Sequence, residues 1–515
     1  MEFGGDYLTT TLTILDGADS IGGNKIHLES GDKGLLLDFG TNYKRMGQFY
    51  EEYLKPRAIR GVHDYLAMGL VPPIDIYRQD LIPSDFSFRL QHLRVDGVFL
   101  THAHMDHAGC IGLLDPTIPV YASPMTIAIL KAYQDSGKSD PPHEVAYFTP
   151  RRGDMDARIL ESQRKAPYQG RRFFCTGAPS ERLRWFWRYA AKKDLQQGEL
   201  TEAKAGPIPF KAFEVDHSIY GATAYAFETD AGWAVYTGDL RMHGALARKT
   251  KRFVQEASGL DPKVLVIEGT RIGREKTREE SEDDVYENSL SAVRDERGLV
   301  VADFSPRHFE RLETFSKVAK EVGRRLVVTT RDAYMLKAIG YVDGIDRMRD
   351  LAVYRGLKER VDGWERGILE EDFKDRVLDP MDVAKNPEAY ILCFSFWDIK
   401  NLLDIGTRGG TYIYSGSEAF NEEAEFDFCR LWEWLRLFGL RVFGFRIDES
   451  TGKPQFDPGF HASGHASPEE LLYMVEEIGP KVVVPVHTEN PEFFRENVKN
   501  REVLLIKNGD RIKIR

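Results

Sequence analysis

The sequence has little cysteine and lacks a long apolar run. Its 515 residues include four widely spaced cysteines, Cys110, Cys175, Cys393 and Cys429, with no C-x-x-C pair. We therefore expect neither a disulfide framework nor a thiolate zinc site, and the pattern fits a reducing compartment. No stretch reaches the ~20 apolar residues that a membrane span requires, and no basic segment followed by an apolar one opens the chain. These absences predict a cytoplasmic protein with no membrane partner.

Positive charge is outnumbered by negative charge. Lys and Arg number 70 against 81 Asp and Glu, a net charge of −11, which excludes a general polyanion binder. The exception is residues 151–206, where thirteen basic residues face seven acidic ones and Trp185, Phe186, Trp187 and Tyr189 lie among the arginines. Two interpretations stay open for this segment. It is either an RNA platform, with arginines on phosphates and aromatics stacked on bases, or an amphipathic helix whose aromatic rings belong to the core.

The remaining composition is that of a large globular protein, with 42% hydrophobic and 29% charged residues, and the length favours two to four domains. Short strands separated by glycine turns fill the first forty residues, and we interpret residues 41–92 as an irregular or partly helical insertion. From residue 299 strands alternate with helices, which predicts a parallel α/β unit. Its first helix is expected over 306–322, capped by Ser305.

The chemistry centres on the segment Thr101-His-Ala-His-Met-Asp-His-Ala-Gly109, which follows an apolar strand at 95–100. Three imidazoles and one carboxylate within six residues suit zinc or a similar first-row metal. His102 and His104 can converge on one ion in a tight loop, while Asp106 and His107 can turn toward a second.

This segment resembles the signature of the metallo-β-lactamase superfamily, and further motifs of that superfamily follow in order. The resemblance implies that Asp38 orients the metal loop, that His217 is another ligand, and that Asp239 bridges two ions. Such a pair of ions would lower the pKa of a bridging water, leave hydroxide as the nucleophile and stabilise the oxygens of an in-line displacement at phosphorus.

Three later motifs resemble the β-CASP branch, the nucleic-acid-processing metallo-β-lactamases that include ribonuclease J. They are Val266-Ile-Glu268-Gly-Thr270, His461-Ala-Ser-Gly-His465-Ala466 and Pro485-Val-His487-Thr-Glu489. The resemblance implies that His487 is the last metal ligand, that His465 faces the scissile phosphate as a general acid or charge stabiliser, and that Glu268 orients a motif histidine. The predicted catalytic residues are therefore Asp106, His465 and Glu268. The predicted metal ligands are His102, His104, Asp106, His107, His217, Asp239 and His487.

The resemblance implies an α/β fold, namely an αββα metallo-β-lactamase sandwich formed by residues 1–270 and 430–515. A β-CASP α/β domain at 271–429 would be inserted between its halves, with the active site in the cleft. The implied function is hydrolysis of single-stranded RNA with two divalent ions, most simply Zn²⁺, although Mn²⁺ could be the working metal. His487 favours RNA, because several DNA-acting members have an apolar residue at that position.

Several alternatives stay open. They are a DNA-directed nuclease of the same branch, a non-catalytic RNA-binding scaffold and a small-molecule thioester hydrolase. The sequence leaves exonuclease versus endonuclease undecided. We expect no sizeable domain after His487, and the oligomeric state stays open, with a homodimer as one option.

Overall fold

The computed structural model describes residues 9–51, 54–137, 140–154, 158–190, 192–196, 198–273, 280–305, 307–416 and 422–515. The chain forms two compact units, the first made of Met1–Glu275 and His465–Arg515 and the second of Lys276–Gly464. None of the helices in the described residues has the length and apolar character that a membrane span needs.

The secondary structure changes along the chain from mainly strands to alternating strands and helices. The strands are β1 (Thr10–Asp16), β2 (Lys25–Ser30), β3 (Lys33–Leu37), β4 (Gly97–Phe99), β5 (Val120–Ala122), β6 (Tyr147–Phe148), β7 (Arg151–Asp154), β8 (Ile159–Ser162), β9 (Tyr168–Gly170), β10 (Phe173–Cys175), β11 (Leu195–Gln196), β12 (Leu200–Glu202), β13 (Phe210–Glu214), β14 (Thr223–Thr229), β15 (Gly232–Tyr236), β16 (Val264–Ile267), β17 (Val300–Asp303), β18 (Arg325–Thr329), β19 (Ala352–Tyr354), β20 (Val377–Leu378), β21 (Tyr390–Cys393), β22 (Thr411–Tyr414), β23 (Arg441–Phe443), β24 (Phe445–Ile447), β25 (Pro454–Phe456), β26 (Val482–Pro485), β27 (Glu502–Val503) and β28 (Arg511–Ile514). The helices are α1 (Tyr43–Gly47), α2 (His63–Ala67), α3 (Met105–Ala108), α4 (Pro124–Ser136), α5 (Glu181–Trp187), α6 (Ala247–Ser258), α7 (Glu282–Val293), α8 (Phe309–Glu321), α9 (Thr330–Asp343), α10 (Gly363–Arg366), α11 (Pro380–Lys385), α12 (Asn401–Ile405), α13 (Glu422–Phe438), α14 (Pro468–Ile478) and α15 (Glu492–Asn497).

Two sheets form the sandwich of the first unit. One has the order β12-β10-β5-β4-β3-β2-β1-β28, and the other has the order β13-β14-β15-β16-β26-β27. Alternate residues of both sheets meet in one buried core, which includes Leu12, Ile26 and Phe99 from the first sheet and Tyr225 and Val484 from the second. This is the packing expected of strands that bury one face against a facing sheet.

Helices α6 and α14 cover the outer face of the six-stranded sheet. Phe253 of α6 and Leu471 of α14 share a buried cluster with Leu265 and Val483 of the strands. Helix α14 begins at a capping box of Ser467 with Glu470 and ends at the left-handed Gly479.

The parallel parts of the two sheets bring the chemically important residues together. Strands β3, β4 and β5 pair in parallel, as do β15, β16 and β26. Asp38, Thr101, Asp239, Glu268 and His487 all follow within three residues of the carboxyl end of one of these strands. Carboxyl ends of parallel strands meet at one edge, where ligands bind in α/β sheets.

The second unit is built on a seven-stranded, fully parallel sheet in the order β20-β19-β18-β21-β17-β22-β23. Its core gathers apolar residues of the strands with Val383, Leu402 and Leu435 of three helices. The prediction of a parallel α/β unit is thus confirmed. Because β23 pairs with β22, this unit continues past residue 429 to Gly464.

Helix α8 begins later than the sequence pattern predicts. It spans Phe309–Glu321, and its cap is His308, whose ring nitrogen accepts a hydrogen bond from the backbone N–H of Arg311. The predicted start at Ser305 was wrong because an imidazole supplies the capping acceptor, a role that propensity assigns to hydroxyl, amide and carboxylate side chains. Pro306 lies outside the described residues.

The basic segment 151–206 combines features of both interpretations, an RNA platform and a core helix. Leu183, Phe186 and Trp187 of α5 are buried, whereas Trp185 and Tyr189 are exposed. Arg171 is fully buried and donates to the carbonyl oxygens of Gly112 and Leu114. The segment is therefore partly core, and Arg171 is not available to a polyanion.

Candidate metal centre

The histidine-rich segment forms a loop and one helical turn after β4. His104 is the residue before α3, and the side chains of His102 and His107 are fully buried. The segment that follows β3 holds the loop in place, since Thr41 donates its backbone N–H to the carbonyl of Met105 at 2.9 Å. A Cβ at Gly40 would lie 1.6 Å from the carbonyl oxygen of Asp106, so this close approach requires glycine.

Three imidazoles form the first cluster of candidate ligands. Nε2 of His102 lies 3.1 Å from Nδ1 of His104, and Nε2 of His217 lies 3.2 Å from the same atom. Ring nitrogens that converge this closely fit a single cation of the kind that imidazole prefers, zinc or another first-row metal.

The second cluster joins two carboxylates and two imidazoles, Asp106, His107, Asp239 and His487. Nε2 of His107 lies 3.1 Å from Oδ2 of Asp239, and Nε2 of His487 lies 3.5 Å from Oδ2 of Asp106. Oδ2 of Asp239 is also 3.7 Å from Nε2 of His102. Asp239 therefore lies between the two clusters, where one carboxylate can serve both.

The backbone is strained at two residues of this site. Asp38 and His487 have positive φ angles of 57° and 54°, a conformation that non-glycine residues rarely adopt. His487 is held by its backbone N–H, which donates to the carbonyl of Gly17 at 2.7 Å. Strain of this kind persists where surrounding contacts fix it, as they do in functional sites.

The residues present fit a divalent metal. Within the described residues, the buried Nε2 atoms of His107 and His487 make no hydrogen bond, which is costly for a polar atom shielded from water. A bound cation would satisfy both lone pairs. The full donor set of five imidazoles and two carboxylates also matches the ligand preferences of zinc and manganese.

Asp38 fixes the orientation of His107. Its carboxylate accepts hydrogen bonds from Nδ1 of His107 and from the hydroxyls of Thr101 and Tyr236, each at 2.8 Å. The tyrosine hydroxyl in turn accepts from Nδ2 of Asn24 at 3.0 Å. With the proton of His107 held on Nδ1, the lone pair of Nε2 faces the second cluster, as in carboxylate–histidine–metal arrangements.

His465 lies beside both clusters without being buried among them. Its Nδ1 is 3.1 Å from each oxygen of Glu268, and its ring centre is 4.9 Å from that of His217. Glu268 is buried and also accepts from the backbone N–H of Leu240 and from Thr270. The carboxylate thus fixes the imidazole of His465, whose side chain is partly exposed.

Burial and charge act together on the ionisation of the site. Burial opposes protonation of His107, but Asp239 and Asp106 outweigh it and raise the pKa of His107 well above its usual value. The same balance raises the pKa of His487 to about 9. Burial alone would raise the pKa of Asp239, yet His107 and His487 hold it well below its usual value. A field that retains extra protons on imidazoles is one that also attracts a divalent cation.

The structure brings together every predicted ligand and the pair His465 and Glu268. Sequence reasoning missed Tyr236, Asn24 and Thr101, which support Asp38. The available signal was weak, because Tyr236 and Thr101 merely flank the recognised motifs and Asn24 belongs to a glycine turn.

Two family models match the chain at this site. Residues 67–131 match the model described as the metallo-beta-lactamase superfamily. Over these residues the chain is similar to the metallo-β-lactamase superfamily. Residues 459–501 match the model described as the Zn-dependent metallo-hydrolase RNA specificity domain, so the two matches contain the histidine-rich loop, His465 and His487. The prediction of a metallo-hydrolase is confirmed, and binding of divalent metal is supported.

The similar curated proteins are named ribonuclease J. The one from Pyrococcus abyssi (strain GE5 / Orsay) is 22% identical over 97% of this chain and 96% of its own length. The one from Methanocaldococcus jannaschii is 21% identical over 92% of this chain and 90% of its own. For the one from Sinorhizobium meliloti, 24% identical, the match covers 80% of this chain but only 61% of the relative. The predicted resemblance to the ribonuclease J-like β-CASP branch is thereby confirmed.

A solved structure shares the whole fold. It is titled Crystal Structure of a Protein of Unknown Function from Enterococcus faecalis V583, and it superposes with a TM-score of 0.66 at 22% identity, covering 98% of this chain and 100% of its own. Together with the two facing sheets, this likeness confirms the predicted fold class.

Proposed function

We propose that the protein is a ribonuclease that hydrolyses phosphodiester bonds of single-stranded RNA with two divalent metal ions. The observation that carries the proposal is the pair of adjoining ligand clusters that share Asp239. The relatives named ribonuclease J and the match to an RNA specificity domain support RNA as the substrate class. We likewise propose that the first unit is the metallo-β-lactamase domain and the second the β-CASP domain.

The proposed ligand sets follow the geometry. His102, His104 and His217 would hold one ion, and Asp106, His107 and His487 the other, with Asp239 shared. When bound, two such ions lower the pKa of water and neutralise charge on a phosphate. Asp38 keeps the proton of His107 on Nδ1, so that Nε2 is available as a ligand.

His465 is the proposed proton donor or charge stabiliser at the scissile phosphate. Its Nδ1 is fixed by Glu268, which leaves Nε2 as the atom that can carry a proton to the leaving oxygen. Glu268 is a positioning residue, because it reaches the substrate only through the imidazole. A non-catalytic RNA-binding scaffold would not need a complete set of metal ligands, so the set present here argues against that alternative.

Metal content tests the ligand assignment separately from activity. Elemental analysis of protein purified with zinc should give about two ions per chain, and His487→Ala should lower that number by about one. His92→Ala is the matched control, because His92 is an exposed histidine that pairs with Asp75 and belongs to neither cluster. Metal-free wild-type protein, or a variant at His487 with unchanged metal content, would contradict the assignment.

A further inference from the structure

Helix α5 and the residues directly after it present two aromatic rings to solvent, Trp185 within the helix and Tyr189 two residues beyond its end. Trp185 is 60% exposed and Tyr189 46% exposed. Their ring planes are parallel within 2°, with centres 6.3 Å apart. With the flanking Arg182 and Arg188, both exposed, they form what we call the aromatic–arginine surface. Large aromatic rings are mostly buried in folded proteins, so a parallel pair of exposed rings suggests a binding role.

The exposure does not come from a loosely packed helix. Leu183, Phe186 and Trp187 anchor the opposite face of α5 in the core. Trp187 packs edge-on against Phe173 with ring centres 5.0 Å apart, and the ammonium of the buried Lys131 lies 4.5 Å from the ring of Phe186. The orientation of α5 is therefore fixed, and the outward direction of Trp185 follows from it. Tyr189 is tied to the end of the helix because its backbone N–H donates to the carbonyl of Phe186 at 3.3 Å.

The charges around the two rings favour an anionic partner. Among the described residues, neither Arg182 nor Arg188 forms an ion pair. The neighbouring Glu181 pairs with Arg184, whose Nε lies 3.5 Å from Oε1 of Glu181. Helical spacing places Arg182 and Arg188 three residues before and after Trp185, on its flanks. In a chain of net charge −11, two uncompensated guanidinium groups beside stacked rings are a local exception.

We propose that the aromatic–arginine surface binds single-stranded RNA, with bases stacking on Trp185 and Tyr189 and phosphates contacting Arg182 and Arg188. The inference rests on the proposed function and gives its RNA substrate a contact surface that contains none of the proposed metal ligands. Aromatic rings accept any base because every base has a flat face, and arginines follow the backbone. A protein partner would also contact aromatic rings, but it would not require an arginine on each side of them, whereas the phosphates of a nucleic acid would.

Equilibrium binding tests the surface directly. The full-length protein is titrated at low temperature with a labelled single-stranded RNA of about 20 nucleotides, longer than the ~4–16 nucleotides that one stacking module covers. Trp185→Ala and Tyr189→Ala should each weaken binding roughly 5- to 150-fold. Trp397→Ala is the matched control, since Trp397 is 66% exposed but lies in the other unit, and it should bind like the wild type.

The salt dependence tests the arginines. Each phosphate contact contributes about −0.7 to the slope of log affinity against log salt for a single strand. Arg182→Gln with Arg188→Gln should therefore make the slope shallower by about 1.4. Arg252→Gln serves as the control, because that exposed arginine is already paired with Glu256, and it should leave the slope unchanged.

The outcomes separate this inference from the proposed function. In one outcome, the variants of the surface keep wild-type RNA affinity and salt slope while the protein still cuts RNA. That result would refute RNA binding by the aromatic–arginine surface, leave the proposed function intact, and indicate that another kind of partner binds the rings. A wild-type protein that binds RNA through these residues but does not cut it would support the surface and contradict the proposed function. Melting temperatures within a few degrees of the wild type confirm that the variants are folded.

Discussion

The pair of Glu268 and His465 gives the sharpest test of the proposed chemistry. In Glu268→Gln the side chain keeps its shape but loses its charge and one acceptor. The wild-type carboxylate accepts from Nδ1 of His465, from the N–H of Leu240 at 3.0 Å, and from the N–H and hydroxyl of Thr270. An amide can serve Thr270 with its oxygen only by turning its NH₂ toward Leu240 or His465.

The structure sets the size of the effect. One buried donor without an acceptor costs about 1–3 kcal/mol of stability, which should lower the melting temperature without unfolding the protein. The rate should fall roughly 10²- to 10⁴-fold, because His465 loses the partner that holds its proton-bearing nitrogen in place and general acid catalysis is worth that much. Metal content should not change, since neither residue is a proposed ligand.

A double-variant cycle decides whether Glu268 acts through His465. Single-turnover hydrolysis of a labelled RNA is compared for Glu268→Gln, His465→Ala and the double variant. The double variant should be no slower than His465→Ala alone, because groups that act as one unit are not additive. Glu470→Gln is the control, since Glu470 makes a similar pair with His243 outside the clusters. Multiplied losses in the double variant, or a near-normal rate in Glu268→Gln, would refute the reasoning.

Two further predictions concern metal affinity and pH. Tyr236→Phe removes a hydrogen bond to Asp38 and should weaken metal binding by roughly 10- to 100-fold in a chelator competition. Tyr225→Phe is the control, because the hydroxyl of Tyr225 donates to the carbonyl of Leu100 and not to Asp38, and equal metal affinities of the two variants would contradict the role of Tyr236. Burial raises the pKa of Asp303 to about 7, so the native state retains a proton that the unfolded chain has lost. The free energy of unfolding of the wild type should therefore fall as pH rises from about 4 to 7 and level off above pH 7. Over the same range the fall should be smaller in Asp303→Asn, by up to about 4 kcal/mol. Parallel pH profiles from denaturant titrations of both proteins would rule this out.

Local patterns predicted what depends on local contacts. The segment His102 to His107 predicts a metal-binding loop because its four ligand-type residues lie within six consecutive positions. Helix α14 likewise has its capping residues within its own segment. The order of the later motifs along the chain was enough to associate them with the same site.

Features that depend on distant contacts were not predictable. Tyr236 and Asn24 support Asp38 only because a strand of each facing sheet and a glycine turn come together at this point. Arg171 lies among other basic residues in the sequence, yet tertiary packing buries it against backbone carbonyls. The exposure of Trp185 was likewise not predictable, because it depends on the burial of Leu183, Phe186 and Trp187 against distant parts of the chain.

The most direct test of the central claim is metal-dependent cutting of RNA. Single-stranded RNA labelled at its 5′ or 3′ end is incubated with the purified protein, with zinc or manganese and with excess chelator, and the product ladder is read. The account predicts shortened products with metal, none with chelator, and recovery when metal is restored. Intact RNA in the presence of metal, or cutting that chelation does not affect, would contradict it.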